Sequence, residues 1–352
     1  MSAVKPVTLL ALLVHRGMLA PAAAQGALRS QDPRAWLIAN GHATAEQWQD
    51  WLETEAGTRP RLSRYELGEL LGEGGQARVF RAQDRVEKRD VALKLLKPEL
   101  ARDPVTRARF IAESKLLLDL RSPHVVRGYR VAREGEAVFC AMELVEGENL
   151  QRRLDRDGPL EERLALEVVR QIAEALAHLH ERGLVHRDVK PGNVMLERSG
   201  RAVLIDLGFA VSRGQGGGSA DETTVGTVHY IAPEQARGQQ DLDVRADIYS
   251  LGATLYHLVT GSLPFAGRTS EEVLAKQVLE SLSGERLRQL GLSPQLHWVI
   301  EKMMAKEKEI RFQDPRTLAR EIATMLARRQ DDSAQDDEGP AARARRTRRR
   351  WL

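Results

Sequence analysis

His186-Arg187-Asp188-Val189-Lys190-Pro191-Gly192-Asn193 is the stretch on which the reading of this chain turns. Asp206-Leu207-Gly208 follows 13 residues after Asn193, and Ala232-Pro233-Glu234 comes after that. Upstream, Leu71-Gly72-Glu73-Gly74-Gly75-Gln76-Ala77-Arg78-Val79 places glycines where a strand turns back. Backbone amides can approach an anionic ligand there without interference from a Cβ. Alone this is weak evidence, because tight turns take glycine for steric reasons. Val91-Ala92-Leu93-Lys94 then reads as a strand with one lysine on an otherwise apolar ladder, and Glu113 lies 19 residues beyond Lys94 in a helix pattern. A buried strand lysine is costly unless it is paired.

Short strand patterns fill Tyr65 to Leu144, interrupted by one helix pattern across Pro104 to Leu120, and long helix patterns dominate from Leu160 onward. Strands first and helices afterwards indicate a two-lobed α+β architecture. Glu55 to Arg61 reads as a linker. Ahead of it lies a short internal repeat: Leu13-Val14-x-x-Gly17 recurs as Leu37-Ile38-x-x-Gly41, and Leu28 falls opposite Leu52, all offset by 24 residues. Each copy would end one helix at a glycine suited to the left-handed cap and start a second near Pro21 or Thr44, with Trp48, Trp51 and Leu52 at helical spacing. The expected domains are a helical module over 1–56, a linker over 57–64, a two-lobed domain over 65–327 split near 144–150, and a disordered tail, acidic and then arginine-rich, over 328–352.

The 352 residues, 42% hydrophobic and 29% charged, suit a soluble globular protein. A single cysteine, Cys140, cannot form an internal disulfide or a multi-cysteine zinc site, which excludes a disulfide-built secreted scaffold. It reads as a small core residue. The apolar run Val7 to Val14 is far shorter than the roughly 20 residues of a spanning helix. An export signal is the alternative, with Lys5 before the run and Ala22 to Ala24 after it, but His15-Arg16 interrupts the pattern. The formal charge of +3 includes six arginines between Arg343 and Arg350, without which the rest is −3. Clustered arginines can neutralise nucleic-acid phosphates, but such a run reads first as a solubilising or weak partner-binding arm.

In order and spacing the motifs match those of protein kinases. From about Tyr65 to Ala327 the sequence resembles the Hanks-type serine/threonine protein kinase family, in the style of its soluble bacterial members. The resemblance implies the two-lobed protein kinase fold, a small β-rich lobe with one key helix and a larger helical lobe, and an ATP-dependent enzyme that phosphorylates Ser/Thr hydroxyls of protein substrates. Phosphoryl transfer asks a protein to position two anionic partners and neutralise charge, rather than to supply covalent chemistry. By the motif match, Asp206 and Asn193 would hold Mg²⁺, with Mn²⁺ as an alternative, through oxygen ligands that suit a hard cation. Lys94 would contact the α and β phosphates and pair with Glu113. Asp188 would accept the proton of the attacking hydroxyl, Lys190 would sit beside the γ-phosphate, and Thr227 would bridge to the catalytic loop. Leu71, Gly72, Gly74 and Ala77 would cover the phosphates. Val79, Ala92 and Met195 would sandwich adenine, Met142 would gate the back pocket, and the backbone of Glu143 and Val145 would bond the base edge. Without the family, these apolar side chains are ordinary core.

The same resemblance pairs Glu234 with Arg311 in the large lobe and makes Asp247 the brace of the catalytic loop. Arg187 would need an anionic partner if it faces inward, and phosphorylation of Thr223, with Thr224 second, would order the loop through Arg187 and Arg213. Two departures stand out. Ala77 replaces the third glycine of the phosphate loop, and Leu207 replaces the commoner phenylalanine after Asp206. A pseudokinase or scaffold would be expected to lack Lys94, Asp188 or Asp206, and a small-molecule phosphotransferase to lack Ala232-Pro233-Glu234 and the Thr227 loop; all are present. ATP as substrate, with no convincing export signal, places the chain in the cytoplasm, and the helical module is the expected seat of a protein partner.

Overall fold

A computed structural model describes residues 6–15, 18–55, 60–207, 211–212 and 227–337. By its internal contacts the chain divides into two units, Met1–Ala112 with Tyr129–Leu144, and Glu113–Gly128 with Val145–Leu352. 

The first unit opens with four short helices: α1 (Pro6–His15), α2 (Pro21–Leu28), α3 (Pro33–Ala39) and α4 (Ala45–Glu55). They carry the 24-residue repeat into three dimensions. Met18 N–H donates to Leu13 O and His42 N–H to Leu37 O, both at 2.9 Å, so the same C-terminal turn is built twice. Gly41 takes the left-handed φ of 69° that this cap requires; its counterpart Gly17 lies outside the described residues. The second helices begin at Pro21 and Ala45, the latter after a reciprocal cap in which Gln47 N–H donates to Thr44 Oγ1 (3.0 Å) and Thr44 N–H to Gln47 Oε1 (2.8 Å). Leu13 and Leu37, Leu19 and Ala43, Ala24 and Trp48, and Ala27 and Trp51 are equivalent pairs buried in one apolar core. Leu28 breaks the symmetry: it is exposed, whereas Leu52 packs on that core.

Beyond the linker, β1 (Tyr65–Glu73), β2 (Ala77–Asp84), β3 (Arg89–Leu96), β4 (Gly128–Glu134) and β5 (Ala137–Glu143) form a sheet in the order β1-β2-β3-β5-β4. Alternation divides it cleanly. Phe80, Ala82, Val91, Leu93, Leu95, Phe139 and Ala141 join Tyr65 in a core. Their neighbours Val79, Ala92, Lys94, Cys140 and Met142 occupy the opposite face, with Val79 opposite Lys94, Lys94 opposite Cys140, and Ala92 opposite Met142. Between β3 and β4 run α5 (Pro98–Ala101) and α6 (Pro104–Asp119), the latter carrying Glu113.

The second unit is mostly helical. After β6 (Gly147–Asn149) come α7 (Leu150–Asp157) and α8 (Glu162–His180), then β7 (Leu184–Val185), a 3₁₀ turn at Pro191–Asn193, β8 (Val194–Glu197), β9 (Ala202–Leu204) and β10 (Val211–Ser212). A second 3₁₀ turn, Thr227–His229, leads to α9 (Pro233–Ala236), α10 (Val244–Thr260), α11 (Ser270–Leu279), α12 (Glu285–Gln289), α13 (Pro294–Met303) and α14 (Pro315–Asp337). Strands β6, β8 and β9 pair in that order, and β7 pairs with β10. Helix α10 is buried on nearly every side, as expected of an axis around which others pack. It contacts α8 and α13, and α8 contacts α14. Helix α14 continues to Asp337, past residue 328 where the sequence suggests disorder. Propagating a nucleated helix adds one hydrogen bond per residue at no new nucleation cost, so the loss of apolar residues does not end it. Among the described residues no helix is long and apolar enough to cross a membrane.

Candidate active site

The first unit contributes a turn and a strand face. Gly74 N–H donates to Ala77 O at 2.9 Å and closes the β1–β2 turn, while a Cβ at Gly72 or Gly75 would meet nothing within 4 Å. The glycines therefore border open space. Ala77 itself is buried, 6% exposed and paired with Leu96, so its methyl group does not project over that space. At the same turn Glu73 meets Lys97 at 3.0 Å and Arg78 at 3.3 Å, and the hydrogen bond from Lys97 does most to hold its carboxyl below the usual range. Leu71 is half-buried, and Val79, Ala92, Lys94 and Met142 share the sheet face away from the core. Glu143 ends β5.

The second unit holds the loop that opened the sequence reading. After β7 the chain turns sharply, and Arg187 takes φ 68°, a left-handed value that L side chains adopt at a cost. What holds it is Asp247 on α10, 1% exposed, whose Oδ2 accepts from His186 N–H (2.8 Å) and Oδ1 from Arg187 N–H (2.7 Å). Burial pushes the Asp247 carboxyl up, with His186 and these hydrogen bonds pulling the other way. Gln235 Nε2 adds a bond to Arg187 O at 3.1 Å. Arg187 is 9% exposed, and its pKa is lowered by burial.

Asp188, 6% exposed, is therefore presented on a fixed backbone. Its Oδ2 accepts from Asn193 Nδ2 at 2.8 Å and from Lys190 Nζ at 2.9 Å, and Asn193 Nδ2 also reaches Asp188 O at 2.9 Å. Oδ1 is buried with no hydrogen-bond partner among the described residues. Because the Asn193 amide spends its nitrogen on Asp188, its oxygen is the end left for another ligand. Ile205 N–H donates to Asn193 O at 3.0 Å, which ties the turn to the residue before Asp206. No cluster of three or more His, Cys, Asp or Glu side chains suited to a metal occurs among the described residues. One carboxylate and one amide oxygen suit a cation that keeps waters and phosphate oxygens as its remaining ligands.

The sequence-derived residues thus fall in two sets, Leu71 to Glu143 in the first unit and Glu113, Val145 to Thr227 in the second, with Lys94 and Glu113 on either side of the division. Met195 lies on β8 opposite Asn149 and Val203, and Val145 is buried. Glu234 and Arg311 form a buried two-pronged pair at 2.6 and 2.8 Å. Thr223, Thr224, Arg213 and the side chain of Thr227 lie outside the described residues. Sequence reasoning missed Gln235, and it missed the buried Tyr230 hydroxyl set 2.7 Å from His257 Nδ1. No local spacing announces either, since the partners are 48 and 27 residues apart.

A family model described as the protein kinase domain matches residues 65–324. The chain is 36% identical over 290 residues to the serine/threonine-protein kinase PknB of Mycolicibacterium smegmatis, covering 81% of this chain and 46% of that one. To the serine/threonine-protein kinase PrkC of Bacillus subtilis it is 31% identical over 261 residues, covering 74% and 40%. The chain thus matches less than half the length of these curated relatives. A crystal structure of Rad53 1-466 in complex with AMP-PNP superposes with a TM-score of 0.61 at 24% identity over 73% of this chain and 64% of that one, a likeness of fold.

Proposed function

Because the chain belongs to the protein kinase domain family, as a Hanks-type serine/threonine kinase of the bacterial kind, we propose that it transfers the γ-phosphate of ATP to serine or threonine hydroxyls of protein substrates. The observation that carries this reading is the state of Asp188: one carboxylate oxygen held by Asn193 and Lys190, the other buried and left to accept. In this role Oδ1 takes the proton of the incoming hydroxyl as it attacks, and Lys190 moves from Asp188 toward phosphoryl charge. Asp247 keeps the loop in its costly turn so that the base does not wander. Lys94, with Glu113 as the partner the family resemblance gives it, steadies the α and β phosphates, and the glycine turn, open at Gly72 and Gly75, admits them. Val79, Ala92, Met142 and Met195 supply apolar surface for adenine, and Glu143 and Val145 the backbone groups for its edge. Asn193 and Asp206 would hold Mg²⁺, which would supply neutralising charge for the phosphates.

In this reading residues 65–327 form the kinase proper, and the separate core of α1–α4 supports residues 1–56 as a domain of their own that takes a protein partner. We place the chain in the cytoplasm, where ATP is abundant. Autophosphorylation falls on Thr223 first and Thr224 second; phosphopeptide mass spectrometry of ATP-treated enzyme checks this, and an active protein with no phosphate between Ser212 and Val225 would refute it.

The test of the whole is transfer of labelled γ-phosphate to myelin basic protein, alone and beside Asp188→Asn and Lys94→Ala. Removing the base should cost about 10²- to 10⁴-fold while nucleotide still binds. Undiminished transfer in the Asp188→Asn protein would sink the assignment.

A further inference from the structure

We propose that Gln277 on α11 is a positioning residue for the phosphate acceptor, a buried clasp on the backbone of Val228 and His229. This rests on the kinase reading, in which the segment from Thr227 to Glu234 is the platform on which the acceptor peptide lies. Gln277 is 0% exposed, and its side-chain amide is fully engaged. Nε2 donates to His229 O at 2.7 Å and to Val228 O at 3.3 Å, while Oε1 accepts the Tyr249 hydroxyl proton at 2.6 Å.

The direction of this chain is fixed by chemistry. Two carbonyls on one side of the amide require the nitrogen there. The hydroxyl on the other side must donate, because the Lys306 ammonium, which has only protons to give, already occupies the Tyr249 oxygen at 3.2 Å. Lys306 also donates to Gln277 O at 2.7 Å, near the end of α11, where carbonyls lack helical partners. Protons therefore point from Lys306 to Tyr249, from Tyr249 to Gln277, and from Gln277 to the platform. Val228 and Ile231 pack against Val273 of the same helix, with Leu274 and Ala236 at the margin, so the segment is gripped by its backbone and by its side chains.

A clasp that only stabilised the fold would, when cut, weaken everything together. A clasp that positions the acceptor should act on the acceptor's KM. Gln277→Glu in the full chain, as the carboxylate, keeps the oxygen that Tyr249 addresses and removes both donors to the platform. Gln277→Met removes the polar group with little change in volume. Losing one such set of hydrogen bonds should raise the KM for myelin basic protein about tenfold, in both variants, with the KM for ATP and the kcat at saturating acceptor kept near wild type. Amide hydrogen exchange in residues 227–232 should quicken in both. An unchanged acceptor KM, or a kcat loss together with a shifted ATP KM, would overturn the proposal. A wild-type protein that binds ATP but transfers nothing would instead overturn the kinase reading, and the acceptor role with it.

Discussion

All five N–H donors of Arg311 are engaged: Nε with Ala305 O, Nη1 with Glu234 Oε1 and Arg245 O, Nη2 with Glu234 Oε2 and Lys306 O, none longer than 3.0 Å. Such saturation makes the buried pair intolerant of losing one member. Glu234→Ala should cost about 3–5 kcal/mol, read as a fall in the urea midpoint. Lys306 beside it obeys a different rule. Burial first, and the neighbouring Arg311 charge second, lower its pKa from 10.5 to about 8. Between these values the unfolded chain binds the extra proton, so stability should rise with pH from about 8 to 10.5. Lys306→Met should flatten that slope in urea titrations run across the window, and a slope unchanged by the substitution would refute the assignment. For His257, lowered mainly by burial, the same rule predicts stability falling as pH drops below 6.5. Asp247 and His186, 61 residues apart, were legible because each stands in a motif of known register. Gln277 and His229, 48 apart, were not, since neither residue type nor spacing singles out a glutamine whose value comes only from folding.

At the scale of elements, periodicity carried the strands and the long helices, because one buried face imposes its rhythm on the sequence. It failed where a helix outruns its apolar face, as α14 does beyond residue 328. Close backbone approach left a weaker trace. A Cβ on Gly147 would lie 2.3 Å from Leu196 O and 2.8 Å from its carbonyl carbon, both backbone atoms of β8 that cannot swing aside. Gly147→Ala should therefore push β6 off β8 and cost about 1–3 kcal/mol, measured as a lower urea midpoint; an unchanged midpoint would mean that the two strands part freely. In the sequence this glycine was indistinguishable from a loop residue, since the demand for it comes from a strand some fifty positions away.

Across the whole molecule the five tryptophans are unevenly spread: Trp36, Trp48 and Trp51 lie in the helical module, with Trp298 and Trp351 far from it in sequence. Trp48 and Trp51 are buried and Trp298 is 46% exposed. A core of this size is marginal by itself. Tryptophan emission should thus lose its blue component at lower urea than the far-ultraviolet circular dichroism of the full chain falls, and coincident curves would show that module and kinase unfold as one. The repeat that builds the module was visible as an offset of 24; the sequence could not show which equivalents share a core. Ala24 and Ala27 in the first hairpin answer to Trp48 and Trp51 in the second. One copy brings bulk and the other leaves room for it, so the halves are not interchangeable. Two first hairpins joined in tandem would enclose a hollow, and two second hairpins would have no space for a doubled set of Trp48 and Trp51 indoles.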